Sequence, residues 1–262
     1  MNTTAHVKSA TRVLDILELL ATDPRQLGVS ELARRLKIPK SSTHMLLATL
    51  EGRGYVVSDE ARRFRLHPSF RGGDTHTWVG GAPAARLLPV ARDVMLRLVT
   101  GTGETSFLGV RRDERHFQCI EKVVSGNEVR FDTDIGGPRP VHAGSIGLVL
   151  LAFDAPDRTE RVLREAPLPP VTPYTVCDSA RLRGILAEVR SQGFAVVRDS
   201  GCMGASSVAA PIFDATGAVI AGMAVSAPSS RFDEIVDEAR SEVLSAAAAI
   251  SRELATSQPA AS

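Results

Sequence analysis

The residues best suited to chemistry in this sequence are small, polar and basic side chains at the start of one short helix. Residues 29–55, VSELARRLKIPKSSTHMLLATLEGRGY, read as two short helices around a tight turn. Ser30 is placed to N-cap the first helix, and Leu32, Ala33 and Leu36 form its apolar stripe. Lys37-Ile38-Pro39 ends it, because a residue before proline is pushed out of the α region. A second helix over 40–51 turns Thr43, Leu46, Leu47 and Leu50 inward and leaves Lys40, Ser41, Ser42, His44 and Met45 on its outer, N-terminal side. Gly52 and Gly54 supply the stop. Side chains of this kind at the exposed start of a second helix are what the DNA major groove accommodates.

The next residues extend that reading. Tyr55-Val56-Val57 and Arg63-Phe64-Arg65-Leu66 alternate like two strands around the polar turn 58–62. Helix, helix and basic hairpin together spell a winged helix-turn-helix. Arg62 and Arg63 would sit on the wing, within reach of phosphate or the minor groove. The candidate DNA-contacting set is therefore Ser30, Lys40, Ser41, Ser42, Thr43, His44, Met45, Arg62 and Arg63.

Two later stretches also look chemical. PVHAGSIG, 140–147, is a loop entering a helix with one imidazole, and GCMGASSVAAP, 201–211, is a glycine-rich loop entering a strand. Helix N-termini and glycine loops offer free backbone N–H groups, which suit carboxylates and other small anions. Catalytic patterns do not appear. There is no G-x-S-x-G, Gly101-Thr102-Gly103 lacks a third glycine, and the only lysines are Lys8, Lys37, Lys40 and Lys122, so no Walker-type lysine exists. His142 stands one helical turn before Ser145 without an evident third partner. No metal ligand set or cofactor is expected, and the chain reads as a binding protein. The alternative is a metabolic enzyme whose winged domain serves protein contacts.

These residues need elements to hold them, and composition bounds what those elements are. At 262 residues, 44% hydrophobic and 23% charged, the chain suits two globular domains. Its net charge of +1 hides an asymmetry: residues 1–72 carry 12 Lys/Arg against 7 Asp/Glu, whereas the remainder carries 19 against 23. Only the first quarter is suited to a polyanion. Cys119, Cys177 and Cys202 are odd in number and widely spaced, without ligand spacing, and read as reduced thiols. No apolar run approaches the ~20 residues of a membrane span, and 1–10 lack a signal-peptide core. The expected compartment is cytoplasmic.

In chain order, a first helix over 10–22 puts Val13, Ile16, Leu17 and Leu20 on one face. Between 70 and 83 the chain becomes glycine-rich around Trp78, its only tryptophan. A linker helix over 84–99 follows, with Pro89 tolerable in a first turn. Strands are expected at 105–110, 116–122, 128–132, 194–198, 207–213 and 219–227. Residues 136–140 are expected to form a loop. Helices are expected at 142–153, 157–165, 179–192 and 233–254. Antiparallel hairpins with helices on one face make an α+β architecture able to hold a ligand against its sheet. The expected domains are 1–70, a winged helix-turn-helix; 71–100, hinge and linker helix; 101–256, a ligand domain; and 257–262, a frayed tail.

PKSSTHMLLATLEGRGYV, GGPRPVHAGSIGLVLLAF and the run from GFAVV through GASSVAAPIFDATGAVIAGMAVSAP carry a likeness. Through them the chain resembles the IclR family of bacterial transcription regulators, in the family's order, from about residue 9 to 255. The resemblance implies a winged helix-turn-helix, a dimerising linker helix and a GAF-like effector-binding domain. It also implies dimers or dimers of dimers on palindromic operator DNA, mostly as repressors, governed by a small organic effector, with a carboxylate expected here. The effector-site candidates are His142, Ser145, Val197, Met203, Gly204, Ser206, Ser207 and Ser226. Departures from the family pattern concern what is read and bound. Met45 stands where arginine is usual, Leu148 where lysine is, and Ser145 where a small apolar residue is. Similar proteins often have Asp where Val197 stands, Cys where Ser207 stands and Ser where Ala224 stands, while Ser226 matches. A pocket so altered is expected to favour a larger or more apolar acid, aromatic or branched, over glyoxylate or pyruvate.

Overall fold

The computed structural model describes residues 8–23, 25–67, 81–164 and 168–256. The expectations for Trp78, for the glycine-rich hinge and for the 257–262 tail fall outside the described residues. The chain divides into two compact units, 1–89 and 90–262.

In the first unit, α1 (Lys8–Thr22) buries Ile16, Leu17 and Leu20, three of the four positions its periodicity marks. They join Leu32, Leu47, Leu50 and Phe64 in one core. A two-residue strand, β1 (Leu27–Gly28), leads without a break into α2 (Val29–Leu36). The cap position of α2 thus falls on Gly28, in extended conformation, and Ser30 lies exposed in the first turn rather than capping it. Lys37 closes α2 in the left-handed region, at φ 53°, before α3 (Lys40–Gly52) begins. The hairpin of β2 (Val56–Ser58) and β3 (Arg63–Leu66) completes the unit, with β1 paired to the far side of β3. Asp23 fixes the loop between α1 and β1. Its carboxylate accepts from the Arg25 backbone and guanidinium and from Arg35 at 2.8–3.0 Å, which holds it well below the usual carboxylate range.

The helix α4 (Gly81–Thr102) spans the division between the units. Pro89 lies inside it, not in its first turn as expected. Lacking an N–H, Pro89 cannot donate to the carbonyl four residues back, so one hydrogen bond is missing within the turn where the units divide.

The second unit is built on a fully antiparallel sheet in the order β6-β5-β4-β9-β8-β7. Its strands are β4 (Thr105–Arg111), β5 (His116–Val123), β6 (Pro138–Pro140), β7 (Ala195–Arg198), β8 (Ala205–Phe213) and β9 (Val219–Pro228). Its helices are α5 (Ser145–Ala152), α6 (Pro156–Arg164), α7 (Ser179–Gln192) and α8 (Ser229–Thr256). Helices cover both faces of the sheet, not one. Neighbouring residues on a strand point to opposite faces. The Ser206 hydroxyl meets Ser229 at the start of α8 at 2.8 Å, whereas the Ser207 hydroxyl meets Ser145 at the start of α5 at 2.7 Å.

Three local expectations are corrected. Residues 128–132 form no strand; Phe131 instead packs edge-on against Phe107, at 5.8 Å between ring centres. The edge strand is Pro138–Pro140, paired to β5 through Gln118↔Pro138 and His116↔Pro140. Proline is tolerated there because an edge leaves one side of the ladder unused. And α5 begins at Ser145, leaving His142 in the turn before it.

Candidate functional site

The candidate DNA-facing surface of the first unit starts from the cap of α3. Pro39 at the N-cap provides no side-chain hydrogen bond, so the first N–H groups of the helix stay available to a phosphate. Lys40, Ser41, His44 and Met45 are exposed, Met45 at 64%, and Ser42 is half-buried. Thr43 is different. It is fully buried and its hydroxyl donates to the Pro39 carbonyl at 3.1 Å, so it holds the turn and cannot touch a base.

On the wing, both arginines are already partnered. Arg62, at φ 54°, reaches Glu51 at 3.4 Å and lies over the Phe64 ring, and Arg63 pairs with Asp59 at 2.9 Å. Glu51 also accepts from the Ser58 hydroxyl at 2.5 Å, which ties the wing to the end of α3. Surface pairs of this kind are worth only ~0–1 kcal/mol, so either guanidinium can be exchanged to a phosphate at small cost. Lys37, Lys40, Arg53 and Arg65 have no ion-pair partner among the described residues.

In the second unit a cavity of about 430 Å³ lies between the α5 side of the sheet and the segment 131–140. Close backbone approach makes α5 part of its wall. A Cβ on Gly147 would stand 2.2 Å from the Val141 carbonyl oxygen, and Ile146 rests on the paired glycines Gly109 and Gly222. The cavity floor is apolar, formed by Phe107, Phe117 and Phe131 with Cys119 and Ala224. Burial pushes the Cys119 thiol up to about 11, so it is neutral at physiological pH and behaves as a small apolar group.

Polar groups gather at one end. Ser145 and Ser207 share a hydrogen bond, and Ser226, directly across from Ser207 in the ladder, is buried without a side-chain partner among the described residues. Gly144, the N-cap of α5, contributes no side-chain bond, so the first N–H groups of that helix also face acceptors from outside the helix. Arg139 lines the cavity with its guanidinium on the Thr133 hydroxyl, and Asp134 lines it too. The arrangement suits a molecule with a flat apolar body and one anionic end.

Of the residues singled out in the sequence, Ser145, Val197, Ser206, Ser207 and Ser226 line this cavity. The hydroxyl of Ser206 turns away to Ser229. His142, Met203 and Gly204 do not line it. His142 is buried with Nε2 on the Pro169 carbonyl at 2.9 Å, and Met203 is 56% exposed. The phenylalanine floor, Cys119 and Arg139 were missed. Their signal was cross-strand register: Phe107 opposes Ala224, which lies two residues before Ser226 on the same face.

Among the described residues, no helix is long and apolar enough to cross a membrane, and no group of three or more His, Cys, Asp or Glu could hold a metal.

Comparison with known proteins gives matches over both units. Residues 9–60 match the IclR helix-turn-helix domain, and residues 83–252 match the family described as bacterial transcriptional regulator IclR C-terminal. The chain is 32% identical to the HTH-type transcriptional regulator BhcR of Paracoccus denitrificans, over 92% of this chain and 85% of that protein. It is 28% identical to the transcriptional repressor IclR of Escherichia coli, over 93% and 89%. Among solved structures it is similar to an IclR homolog from Microbacterium hydrocarbonoxydans complexed with 4-hydroxybenzoate. The TM-score is 0.62 at 28% identity, covering 95% of this chain and all of that one. Family matches over both units, with transcription regulators among the relatives, make this protein a member of the IclR family of bacterial DNA-binding transcription regulators.

Proposed function

We propose that this regulator is a repressor that binds a palindromic operator as a dimer or dimer of dimers and is controlled by an aromatic carboxylate. The observation that carries the effector class is the cavity itself, a floor of three phenylalanines facing a serine cluster and an uncapped helix start. An aromatic ring would stack against Phe107, Phe117 and Phe131. Its carboxylate would accept from Ser226, from the Ser145–Ser207 pair and from the first N–H groups of α5. The relative complexed with 4-hydroxybenzoate supports an acid of this size. Glyoxylate and pyruvate would leave most of the apolar floor uncovered, losing roughly 25 cal/mol for each Å² not buried.

On DNA, two copies would set α3 in successive major grooves, in the bacterial cytoplasm. Lys40 and the wing arginines would hold phosphates, while Ser41, Ser42, His44 and Met45 meet base edges. The effector would alter operator affinity by binding the two arrangements of the DNA-binding units unequally.

Calorimetry on the full-length protein tests the effector class. Saturable binding of 4-hydroxybenzoate or benzoate, with much weaker binding of glyoxylate and pyruvate, is the expected result; the reverse order overturns it. Genomic fragment selection followed by gel shifts tests the division of roles on α3. Lys40→Ala should weaken all sequences about equally, and His44→Ala or Ser42→Ala should change which bases are preferred. Uniform losses for every variant would refute that division.

A further inference from the structure

We infer that a second small-molecule site lies across Val197 from the first cavity, and that it takes an amphipathic amine bearing a hydroxyl or N–H donor. A separate cavity of about 320 Å³ opens between α7, β7 and the segment 174–176, within the range of small-ligand pockets. Val197 lines both cavities, and the adjoining residues Ser200 and Gly201 line one each.

The deepest polar group in the second cavity is His142, only 4% exposed. Its Nε2 donates to the Pro169 carbonyl, which fixes the tautomer and leaves Nδ1 as a lone-pair acceptor. Nδ1 has no partner among the described residues. A ligand hydroxyl or N–H reaching this lone pair would supply it with a donor. Burial also holds the ring below its ordinary pKa, so it stays a neutral acceptor at physiological pH.

Charge at the rim sets the other end of the ligand. Glu188 is exposed on α7 without an ion-pair partner among the described residues. The rim's Arg198 is occupied by Asp233, at 2.7 and 3.1 Å, and rests over the Phe232 ring. The free charge is thus negative, and the walls between His142 and Glu188 are Leu148, Leu182, Ile185 and Val189. An apolar ring with a hydroxyl at one end and an ammonium at the other satisfies all three features. The first cavity differs in carrying one charge of each sign on its wall, Arg139 and Asp134. Because the two cavities share Val197, an occupant of one that shifts β7 changes affinity in the other by the same factor in both directions.

Tyramine is a suitable probe, titrated into the full-length protein by calorimetry and by NMR of histidine-labelled protein. The expected result is one saturable event that shifts the His142 Nδ1 resonance and continues in saturating 4-hydroxybenzoate. Glu188→Gln should weaken it about threefold, the loss of one exposed ion pair, and Ile185→Trp should abolish it by filling the cavity. Should Ile185→Trp fail to fold, the exposed Glu188→Gln and the histidine resonance still decide. Absence of saturation up to about 10 mM tyramine, beyond the millimolar range of weak ligands, overturns the inference. So does saturation that leaves His142 unmoved and is indifferent to Glu188→Gln.

Discussion

At the scale of single residues, Glu51 and His142 act in different units. Glu51 ties the wing to α3 through Ser58 and Arg62, and it places a negative charge beside the surface that phosphates must approach. Glu51→Gln should therefore tighten binding to every DNA sequence and steepen the slope of log affinity against log salt by about one, as one more guanidinium is released to displace a counterion. Fluorescence anisotropy across a salt series reads this directly; an unchanged slope would mean that Arg62 already meets phosphate in the native protein or never meets DNA. His142 is linked to stability instead. Burial lowers its folded pKa, so the unfolded chain takes up the proton first as pH falls below the ordinary value near 6.5. Stability of the second unit should then decline on going from pH 7 to 5, and His142→Asn should flatten that decline. A profile equally steep in the variant would assign the loss to other groups.

Among the elements, α5 is held by side-chain bonds, from Ser145 to Ser207 and from Thr159 and Arg190 to its last carbonyls, and also by close backbone approach, which makes it sensitive to very small changes. Gly147→Ala puts a methyl group where the Val141 carbonyl stands, a clash between two backbone segments with no flexible side chain to yield. The expected cost is about 2–3 kcal/mol in unfolding of the second unit, within the usual range for overpacking. Thermal denaturation followed with and without 4-hydroxybenzoate should show both a lower midpoint and a smaller shift by ligand, since the helix start forms part of the cavity wall. A variant with native midpoint would mean that α5 slides freely over Gly109 and Gly222. The same element shows what sequence can and cannot reveal. Local chemistry marks α7 within its observed bounds, because Asp178 caps the Arg181 N–H and Gly193 ends the helix at φ 84°. The strands of the hairpins β4–β5 and β8–β9 are legible for the same reason, from alternation and from turns such as 214–217, where Asp214 binds the Thr216 and Ala218 N–H groups. The cavity is less legible. Which face Phe107 presents depends on pairing with Ala224, more than a hundred positions away; Phe117 lies beside an edge strand that reads as a loop, and Phe131 sits in a segment with no ladder at all. An imidazole just before a helix looked like a ligand-binding group, yet the turn 140–143 rotates His142 to Pro169. Likewise, the proline pair at 138 and 140 suggested a loop, because only the assembled sheet reveals that this stretch lies at an edge.

For the whole molecule, charge separation and valency decide how operator binding responds to salt. The first 72 residues carry the positive excess while the remainder is net negative, so the second unit adds no general attraction to DNA. Near the helix pair and wing, Lys37, Lys40, Arg53 and Arg65 are free to meet phosphates without breaking an ion pair among the described residues. One DNA-binding unit acting alone would then displace about four counterions, giving a log–log salt slope of about −4, whereas two units on a palindrome would give about −7. Footprinting and anisotropy on an operator and on its isolated half-site separate the two cases. A slope near −7 on the full site that falls to about half on the half-site is expected of a dimer with both heads engaged. A slope near −4 on both would mean that a single unit carries recognition. In that case an effector acting through the spacing of two heads could not change affinity, and control would have to pass through the fold of one chain.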